Sequence, residues 1–562
     1  MTAESEWWRQ AVVYQIYPRS FADGNGDGEG DIRGMIEKLP YLEQLGVDAV
    51  WVSPWYPSPM ADGGYDVSDY RDIDPRFGTL ADADEFIADA HARGLRVIID
   101  LVPNHSSDQH PWFQAALTAP PGSLDRARYH FRDGRGEDGN LPPNNWPSLF
   151  GGSAWERVTE PDGKPGQWYL HMFAPEQPDW NWDNPEVVEE FDSILRFWFD
   201  RGIDGLRVDV ADALVKDRDL PDTPQEHDSE YGTWKRFEGS PFWDQPGVLL
   251  IQQRWRVIAD SYADSPQGAR VFCSEANADP LEKLVRYVGP GQLHSTFNFD
   301  HLHSEWTASS LRHMIDRSIT AHQAVSAPTT WVLGNHDSAR VASRYGKPIT
   351  GRVYTTLGAS EETKHWGAED LERQPTDVAL GRRRARAAAL LELALPGGAY
   401  IYQGEELGLN EVEDLPAAVM QDPSFFRNHG KIRGRDGCRV PLPWSGTEPP
   451  FGFGADTWLP QPADWAQITA EAQDGDPSST LNVYRAALAL RRTLPALGEG
   501  RLLWDESWGP DVLCFDREPG VSCLVNFGAD PVALPAGTRV LVASGELVGE
   551  SVPSDVAVWL AR

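Results

Sequence analysis

Three carboxylates in this 562-residue chain stand directly after short apolar runs: Asp209 in GLRVDV, Glu275 in SEAN and Asp337 in GNHD. An acid after a strand usually caps a helix or lies in a solvated loop. Two carboxyl groups set across a sugar, however, provide what glycosidic cleavage requires, namely a nucleophile or base and a general acid. The three acids together therefore make glycoside hydrolysis the chemistry to consider first.

The elements that would position these acids are eight short, β-branched-rich runs, each followed by sequence of helical length. Continuous apolar runs of this kind are typical of strands covered on both faces, and hence of a parallel sheet with helical crossovers. Eight such units predict a (β/α)8 TIM barrel of the α/β class, in which the carboxyl ends of the strands carry the chemistry. The runs are AVVYQIYP, DAVWVSP, RVIIDLVP, GLRVDV, RVFCSEA, STFNFD, TWVLGNHD and GAYIYQGEELG.

Spacing between the runs predicts the domain organisation. Residues 1–103 form the first part of the barrel, and residues 104–178, rich in Pro, Gly, Asn and Trp, are too long for an ordinary βα loop and form an inserted domain after strand 3. Residues 179–500 complete the barrel, with a second long insertion at about 345–380. Alternating runs in residues 501–562 predict a C-terminal antiparallel β domain.

Composition excludes several classes of partner. A formal net charge of −35 would repel phosphate backbones and anionic headgroups, so nucleic acid and membrane surfaces are not expected partners. The N-terminus lacks a signal-peptide pattern, and no apolar run has the length of a membrane span, which predicts a cytoplasmic protein. Four scattered cysteines without a CxxC pair fit reduced thiols.

The glycine-rich stretch DGNGDGEGD at residues 23–31 alternates acids and an amide at the spacing of a cation-binding loop. Gly34 stands where an EF-hand has its bidentate glutamate, so the stretch is not an EF-hand. Hard oxygen ligands with few carboxylates suit Ca²⁺, with Mg²⁺ as the second option, and the alternative is a turn that solvates its own acids. The predicted ligands are Asp23, Asn25, Asp27, the carbonyl of Glu29, and Asp31.

Seven short motifs in a fixed order give the chain a family resemblance. It resembles the α-amylase family, glycoside hydrolase family 13, and within it the oligo-1,6-glucosidase and α-glucosidase branch, with some similarity to actinobacterial α-glucosidases. The related glucosidases bind a structural cation in the loop that corresponds to residues 23–31. The motifs are WWRQAVVYQIYPRSF, GYDVSDY, DLVPNH, QPDWNWDNP, GLRVDV, SEAN and GNHD.

The resemblance implies a role for each acid. Asp209 would be the nucleophile that forms a covalent glucosyl-enzyme, with Arg207 fixing the orientation and ionisation of its carboxylate. Glu275 would act first as general acid and then as base. Asp337 would bind sugar hydroxyls and favour the distorted ring of the transition state. Two displacements would retain the α-configuration.

Further positions that match the branch would build the sugar pocket. Asp62 would bind the terminal hydroxyl, Tyr65 would stack on the first glucose, and Arg439 would pair with Asp62 and close the pocket, which implies an exo-acting enzyme. The remaining predicted substrate contacts are His105 and His336, beside sugar hydroxyls, and Phe150 and Phe173, at the entrance or packed within the insertion.

Three alternatives to an α-1,4-preferring glucosidase remain at this point. Val210 after the nucleophile is typical of oligo-1,6-glucosidases, although the following ADAL is not. A glucosyltransferase or isomerase of the same fold, such as a sucrose isomerase or trehalose synthase, would share the glucosyl-enzyme and differ only in its acceptor. A non-catalytic transporter subunit of this family would lack the acids and carry a membrane anchor. The expected partners are small α-glucosides and oligosaccharides.

Overall fold

The computed structural model describes residues 3–224, 239–276, 278, 280–351, 374–498 and 500–561. Most of the predicted second insertion, residues 352–373, and Asn277 of the SEAN motif lie outside the described residues.

Eight parallel strands form the central sheet, in the order β10-β11-β1-β2-β3-β7-β8-β9. Each pairs with its neighbour in parallel register, and the amide of Asn298 donates to the carbonyl of Thr330 (3.2 Å), which links the two ends into a nearly closed barrel. The eight predicted strands and the TIM-barrel class are confirmed. The strands are β1 Val12–Ile16, β2 Ala49–Val52, β3 Arg96–Leu101, β7 Gly205–Val208, β8 Val271–Ser274, β9 Ser295–Thr296, β10 Thr330–Val332 and β11 Gly398–Tyr402.

Helices cover the outside of the sheet, and their ends carry clear sequence signals. Thr79 and Asp82 form a reciprocal capping box at the start of α2, and Asn184 caps α5, whose C-terminal Gly202 adopts the left-handed conformation that favours glycine. The helices are α1 Ile32–Leu45, α2 Leu80–Ala92, α3 Pro111–Thr118, α4 Leu124–Ala127, α5 Pro185–Arg201, α6 Gly247–Asp260, α7 Leu281–Leu284, α8 Phe299–Leu302, α9 Ala308–Ala324, α10 Val341–Arg344, α11 Val378–Ala394, α12 Pro423–Arg427, α13 Ala470–Asp474 and α14 Thr480–Thr493.

An inserted domain follows β3. It contains α3, α4 and a three-stranded antiparallel sheet of order β4-β6-β5, built from β4 Phe131–Arg132, β5 Trp155–Thr159 and β6 Pro165–Leu170. The chain returns to the barrel through an antiparallel bridge between His105 and Asp179. The insertion therefore rises from the carboxyl end of β3, above the same barrel mouth as the three acids.

The C-terminal domain is antiparallel, as predicted. Its main sheet has the order β12-β13-β14-β18-β16, and the indole of Trp559 in β18 donates to the carbonyl of Leu390 in α11 (2.9 Å), which docks this domain on the barrel. The strands are β12 Leu502–Trp504, β13 Val512–Arg517, β14 Val521–Asn526, β15 Val532–Ala533, β16 Arg539–Ala543, β17 Ser551–Val552 and β18 Val556–Ala561.

Within the described ranges, none of the helices combines the length and the apolar character that crossing a bilayer requires.

Candidate active site

Two of the three predicted acids extend the ladder of the parallel sheet by one residue. The amide of Asp209, just after β7, donates to the carbonyl of Leu101 in β3 (2.9 Å), and the amide of Glu275, just after β8, donates to Val208 in β7 (2.8 Å). Backbone bonds of this kind fix the direction in which each carboxyl leaves its strand. Asp209 and Glu275 therefore stand side by side at the barrel mouth.

Arg207 connects three carboxyl groups beneath this mouth. Its Nη1 lies 2.9 Å from Oδ1 of Asp100 and 2.8 Å from Oδ1 of Asp209, and its Nη2 lies 2.5 Å from Oε2 of Glu275. The guanidinium is fully buried and lies 5.0 Å from the ring centre of Trp51. Because Arg207 and Asp209 are two residues apart on the chain, both side chains emerge on the same side of the sheet.

Burial affects the ionisation of the carboxyl groups around Arg207. It raises the pKa of Asp209 well above its ordinary value, against the opposing charge of Arg207, and repulsion from Glu275 and Asp100 raises it further. Burial likewise raises the pKa of Asp100 to about 6, although Arg207 opposes the rise. The buried Asp209 therefore lies beside a second carboxyl group, and a pair of carboxyl groups is what acid–base chemistry on a glycoside requires.

Asp337 lies among cationic and polar groups. Its Oδ1 lies 2.9 Å from Nη2 of Arg439 and 3.0 Å from Nη1 of Arg435, and its Oδ2 lies 3.2 Å from Nε2 of His336. Burial opposes ionisation of Asp337, but His336, Arg435, Arg439 and Arg207 outweigh burial and hold the pKa well below its usual value. Asp337 is therefore an anion at neutral pH.

The arginine that pairs with Asp62 is Arg435, not Arg439 as the sequence had suggested. Nη2 of Arg435 lies 2.5 Å from Oδ1 of Asp62, whereas the guanidinium of Arg439 contacts Asp337 and the carbonyl of His336 (2.9 Å each). Both arginines belong to RGRDGCR, a stretch that folds as irregular chain with one short 3-10 turn, so no periodicity indicates which of them faces Asp62. The presence of a second arginine four residues before Arg439 was the only available signal.

Tyr65 and His336 form an aromatic pair in the same pocket. Their ring centres are 5.0 Å apart with an angle of 6° between planes, and the hydroxyl of Tyr65 donates to Oδ2 of Asp100 (3.0 Å). Nδ1 of His336 lies 2.7 Å from the side-chain amide of Gln15. Burial keeps the pKa of His336 well below its ordinary value, so its imidazole is neutral at the mouth of the barrel.

His105 is joined to Asp62 through Gln177, which sequence reasoning did not single out. Nε2 of Gln177 lies 3.0 Å from Oδ2 of Asp62 and 3.0 Å from Nε2 of His105, and that histidine nitrogen also lies 3.0 Å from the carbonyl of Tyr65. Burial lowers the pKa of His105 to about 4. The QPD segment after the insertion thus reaches the predicted sugar pocket through its first residue.

Phe150 and Phe173 pack within the insertion and also contact residues of the predicted pocket, and their position at its entrance stays a prediction. Phe173 lies 5.0 Å from the ring of His105, and the ring of Phe150 lies 5.1 Å from Cζ of Arg435, so each contacts a residue of the pocket. The two rings are also 5.6 Å apart and belong to an apolar cluster of the insertion that includes Trp146. They therefore couple the core of the inserted domain to the pocket.

The loop at residues 23–31 wraps around its own side chains. Asp23, Asn25 and Asp27 each accept a hydrogen bond from the backbone amide two residues later (2.9–3.1 Å). Oδ1 of Asp31 caps α1 by accepting from the amide of Gly34 (2.7 Å), and the carboxylate of Glu29 pairs with Arg19 (2.7 Å).

These contacts fit a cation only in part. In the described part of the chain, no set of three or more His, Cys, Asp or Glu side chains is grouped to hold a metal ion. The turns leave Asp23, Asn25 and Asp27 along one short loop. The coordination shell of a cation there would therefore have to include the side-chain oxygen of Asn25 and backbone carbonyls, which are ligands that hard cations accept. The cation site stays a prediction.

Taken together, the buried acid pair, the bridging arginine and the polar and aromatic groups around them at the mouth of an eight-stranded barrel are the features of a glycoside hydrolase. The chain belongs to the alpha-amylase family, whose catalytic domain it matches over residues 15–360 and 355–500. This confirms the resemblance seen in the motifs, and the non-catalytic alternative finds no support.

Similarity to individual relatives extends along nearly the whole chain. A probable alpha-glucosidase of Rhizobium meliloti is 37% identical over 542 residues, covering 93% of this chain and 90% of the relative. An oligo-1,6-glucosidase of Heyndrickxia coagulans is 35% identical over 532 residues, covering 88% and 87%. Among solved structures, the alpha-glucosyl transfer enzyme XgtA superposes with a TM-score of 0.81 at 36% identity and 99% coverage of both chains.

Proposed function

We propose that this glycoside hydrolase is an exo-acting, retaining α-glucosidase that releases glucose from the non-reducing end of maltose and short α-glucosides. The observation that carries the proposal is the Asp209–Glu275 pair joined by Arg207, because one guanidinium orients two carboxyl groups at one barrel mouth. The names of the relatives support an α-glucosidic substrate.

In the first displacement, a carboxylate oxygen of Asp209 attacks the anomeric carbon while Glu275 gives its proton to the departing glycosidic oxygen. The C–O bond breaks, an ester to Asp209 forms, and the aglycone leaves as an alcohol. In the second displacement, Glu275 takes a proton from water, whose oxygen replaces Asp209 on the anomeric carbon. Two inversions return the α-anomer, and Asp209 and Glu275 regain their starting states.

The surrounding groups hold the sugar during both steps. Asp337 is ionised and interacts with Arg207, the residue that joins the acid pair, so it can accept hydrogen bonds from sugar hydroxyls and oppose the positive charge that develops on the ring. Neutral His105 and His336 can hydrogen-bond hydroxyls, and Tyr65 offers an aromatic surface. In this proposal the ion pair between Asp62 and Arg435 forms the closed inner end of the pocket, which favours exo action.

Retention is tested by following the anomer released first. Hydrolysis of p-nitrophenyl α-glucoside, monitored by proton NMR within the first turnovers, should give α-glucose that then mutarotates. Initial β-glucose would mean a single displacement and would contradict the role of Asp209 as a nucleophile.

A substrate panel of maltose, isomaltose, sucrose and trehalose then separates α-1,4 preference from the oligo-1,6-glucosidase alternative, which Val210 favours.

Glucosyl transfer is the second candidate function, and the likeness to XgtA favours it. The glucosyl-enzyme would be the same, with a sugar hydroxyl in place of water. Incubation with concentrated maltose should yield glucose with a minor fraction of trisaccharide. Trisaccharide or an isomerised disaccharide as the main product would make the protein a transferase or isomerase.

For the loop at residues 23–31, the proposed role is a structural Ca²⁺ site, with Mg²⁺ as the second option, that takes no part in the chemical step. Chelation should therefore lower the melting temperature clearly and have a smaller effect on kcat. Added Ca²⁺ should restore the melting temperature, because a ligand that binds only the folded state stabilises that state. The measurement is a thermal melt with EDTA, then with Ca²⁺ or Mg²⁺, beside metal analysis. An unchanged melting temperature together with no bound metal would mean that the loop is a turn without a cation.

The cytoplasmic location likewise remains a prediction.

A further inference from the structure

Arg435 lies between three carboxylates that come from three separate parts of the chain. Asp62 follows β2, Asp337 follows β10, and Asp422 lies in the irregular segment after β11. Asp62 and Asp337 belong to the proposed sugar pocket. Asp422 has no place in the mechanism so far, although it makes one of the short contacts of the group, 2.5 Å from Oδ2 to Nε of Arg435.

Asp422 holds both the side chain and the backbone of Arg435. Besides the contact with Nε, Oδ2 accepts a hydrogen bond from the backbone amide of Arg435 (2.9 Å). This leaves Nη1 for Asp337 (3.0 Å) and Nη2 for Asp62 (2.5 Å). A planar guanidinium whose Nε is hydrogen-bonded to a fixed carboxylate can rotate little. The carboxylate of Asp422 therefore sets the plane in which the other two guanidinium nitrogens lie.

Asp422 remains charged although it is buried. Burial opposes its ionisation, but the guanidiniums of Arg435 and Arg439 outweigh burial and hold the pKa of Asp422 below its usual value. A carboxylate that is 1% exposed and fully ionised forms a stronger hydrogen bond to a guanidinium than a neutral group would. The contact with Arg435 is thus charge-assisted under working conditions.

The segment that carries Asp422 is fastened to the inserted domain. Residues 421–428, which we call the strap, contain α12, and Oδ1 of Asp422 caps this helix by accepting from the amide of Ser424 (2.7 Å). At the other end, Nε of Arg427 donates to the carbonyl of Gly151 (2.8 Å), and Nδ2 of Asn428 donates to the carbonyl of Phe150 (3.0 Å). The strap therefore spans from the insertion to Arg435.

We propose that Asp422 is a positioning residue that fixes the guanidinium of Arg435, so that Asp62 is held in the orientation that binds the terminal hydroxyl of the sugar. The inference rests on the proposed function, since it assigns Asp422 a role in the specificity of that pocket. Asp422 itself acts only through Arg435. The competing explanation is a purely structural role, as the cap of α12.

Substitution by asparagine separates the two roles. Asp422 uses Oδ1 for the cap and Oδ2 for Arg435, and Asn has one acceptor oxygen, which caps a helix as well as Asp does. Asp422→Asn thus removes the charge that holds Arg435, and with its oxygen on the amide of Ser424 it presents to Arg435 an amide nitrogen, which cannot accept. The matched control is Asp377→Asn, which makes the same change at the cap of α11, where Asp377 accepts from the amide of Leu380 (2.9 Å) on the exposed side of the barrel. The positive reference is Asp62→Asn, which alters the hydroxyl-binding acid directly.

The readout is the ratio of kcat/KM for p-nitrophenyl α-glucoside to that for its 4-deoxy analogue, which lacks the terminal hydroxyl. Because the ratio is measured on active molecules only, partial unfolding does not change it. A site built to hydrogen-bond a hydroxyl rejects the analogue without it, so the wild-type ratio should reach about 100 or more. We expect about 10 or less in Asp422→Asn and Asp62→Asn, and the wild-type ratio in Asp377→Asn.

Two results would overturn the role of Asp422 and leave the proposed function intact. If Asp422→Asn keeps the wild-type ratio, whatever its melting temperature, the carboxylate acts only as a structural group. If wild-type protein discriminates but Asp62→Asn does so equally well, Asp62 does not read the hydroxyl and Asp422 has nothing to position. Wild-type protein that hydrolyses neither glucoside would instead overturn the proposed function, and this role with it.

Discussion

Replacing Asp209 with asparagine is expected to lower kcat on p-nitrophenyl α-glucoside by at least about 10⁴-fold, the scale seen when a nucleophile is removed from a catalytic group that works as a unit. Asparagine has nearly the same shape, and its carboxamide oxygen can still accept from Nη1 of Arg207, which lies 2.8 Å from Oδ1 in the wild type. It cannot, however, form the ester to the anomeric carbon. The steady-state rate, with the active-site concentration determined independently, measures the loss.

The same variant should fold at least as stably as the wild type. Burial and the neighbouring carboxyl groups raise the pKa of Asp209, which means that its charge is held against an energetic cost in the folded protein. A neutral amide removes that cost. A variant with a melting temperature equal to or above wild type and no turnover supports the assignment, and Asp377→Asn provides the control for the amide substitution itself. Turnover above about 1% of wild type would refute the role, because no other described group is proposed as the nucleophile.

Convergence of the acids could be predicted from sequence because it follows from topology. Parallel strands place their carboxyl ends at one rim, so Asp209 and Glu275 had to meet once eight strands were assigned. The link from Arg207 to Asp209 also follows, since side chains two residues apart on a strand share a face. In the structure the register pairs Asp100 with Arg207 across β3 and β7, which brings the third carboxyl into the same group.

The partner of Asp62 could not be predicted in the same way. Arg435 and Arg439 lie in a stretch of irregular chain, where no repeat of 2 or 3.6 residues tells which side chain faces the pocket. Both arginines contact Oδ1 of Asp337. What distinguishes them is the contact between Nε of Arg435 and Asp422, which lies thirteen residues earlier in the chain. Gln177 was missed for a related reason, because its contacts with Asp62 and His105 depend on how the returning end of the insertion packs.

Replacement of Arg207 is expected to have the second large effect. Replacing it with glutamine should abolish activity and lower the free energy of unfolding by about 3–5 kcal/mol at neutral pH, the cost typical of removing one partner from a buried ionic group. The reason is that Asp100, Asp209 and Glu275 would share a buried site without the cation that lies 2.5–2.9 Å from each of them. Lysine should not rescue the function, because a single ammonium cannot present the two nitrogens that Arg207 uses.

The stability loss in Arg207→Gln should depend on pH, and its direction follows from the buried acids. Burial raises the pKa of Asp100 to about 6 even with Arg207 in place, and removing the cation raises it further. A carboxyl whose folded-state pKa exceeds its unfolded value adds stability at low pH, and this contribution is lost as pH rises through the folded pKa. Urea unfolding should therefore show a smaller difference between variant and wild type at pH 5 than at pH 8. A difference that is equal at both pH values would mean that Arg207 stabilises the barrel by packing on Trp51 and not by compensating the charge of the acids.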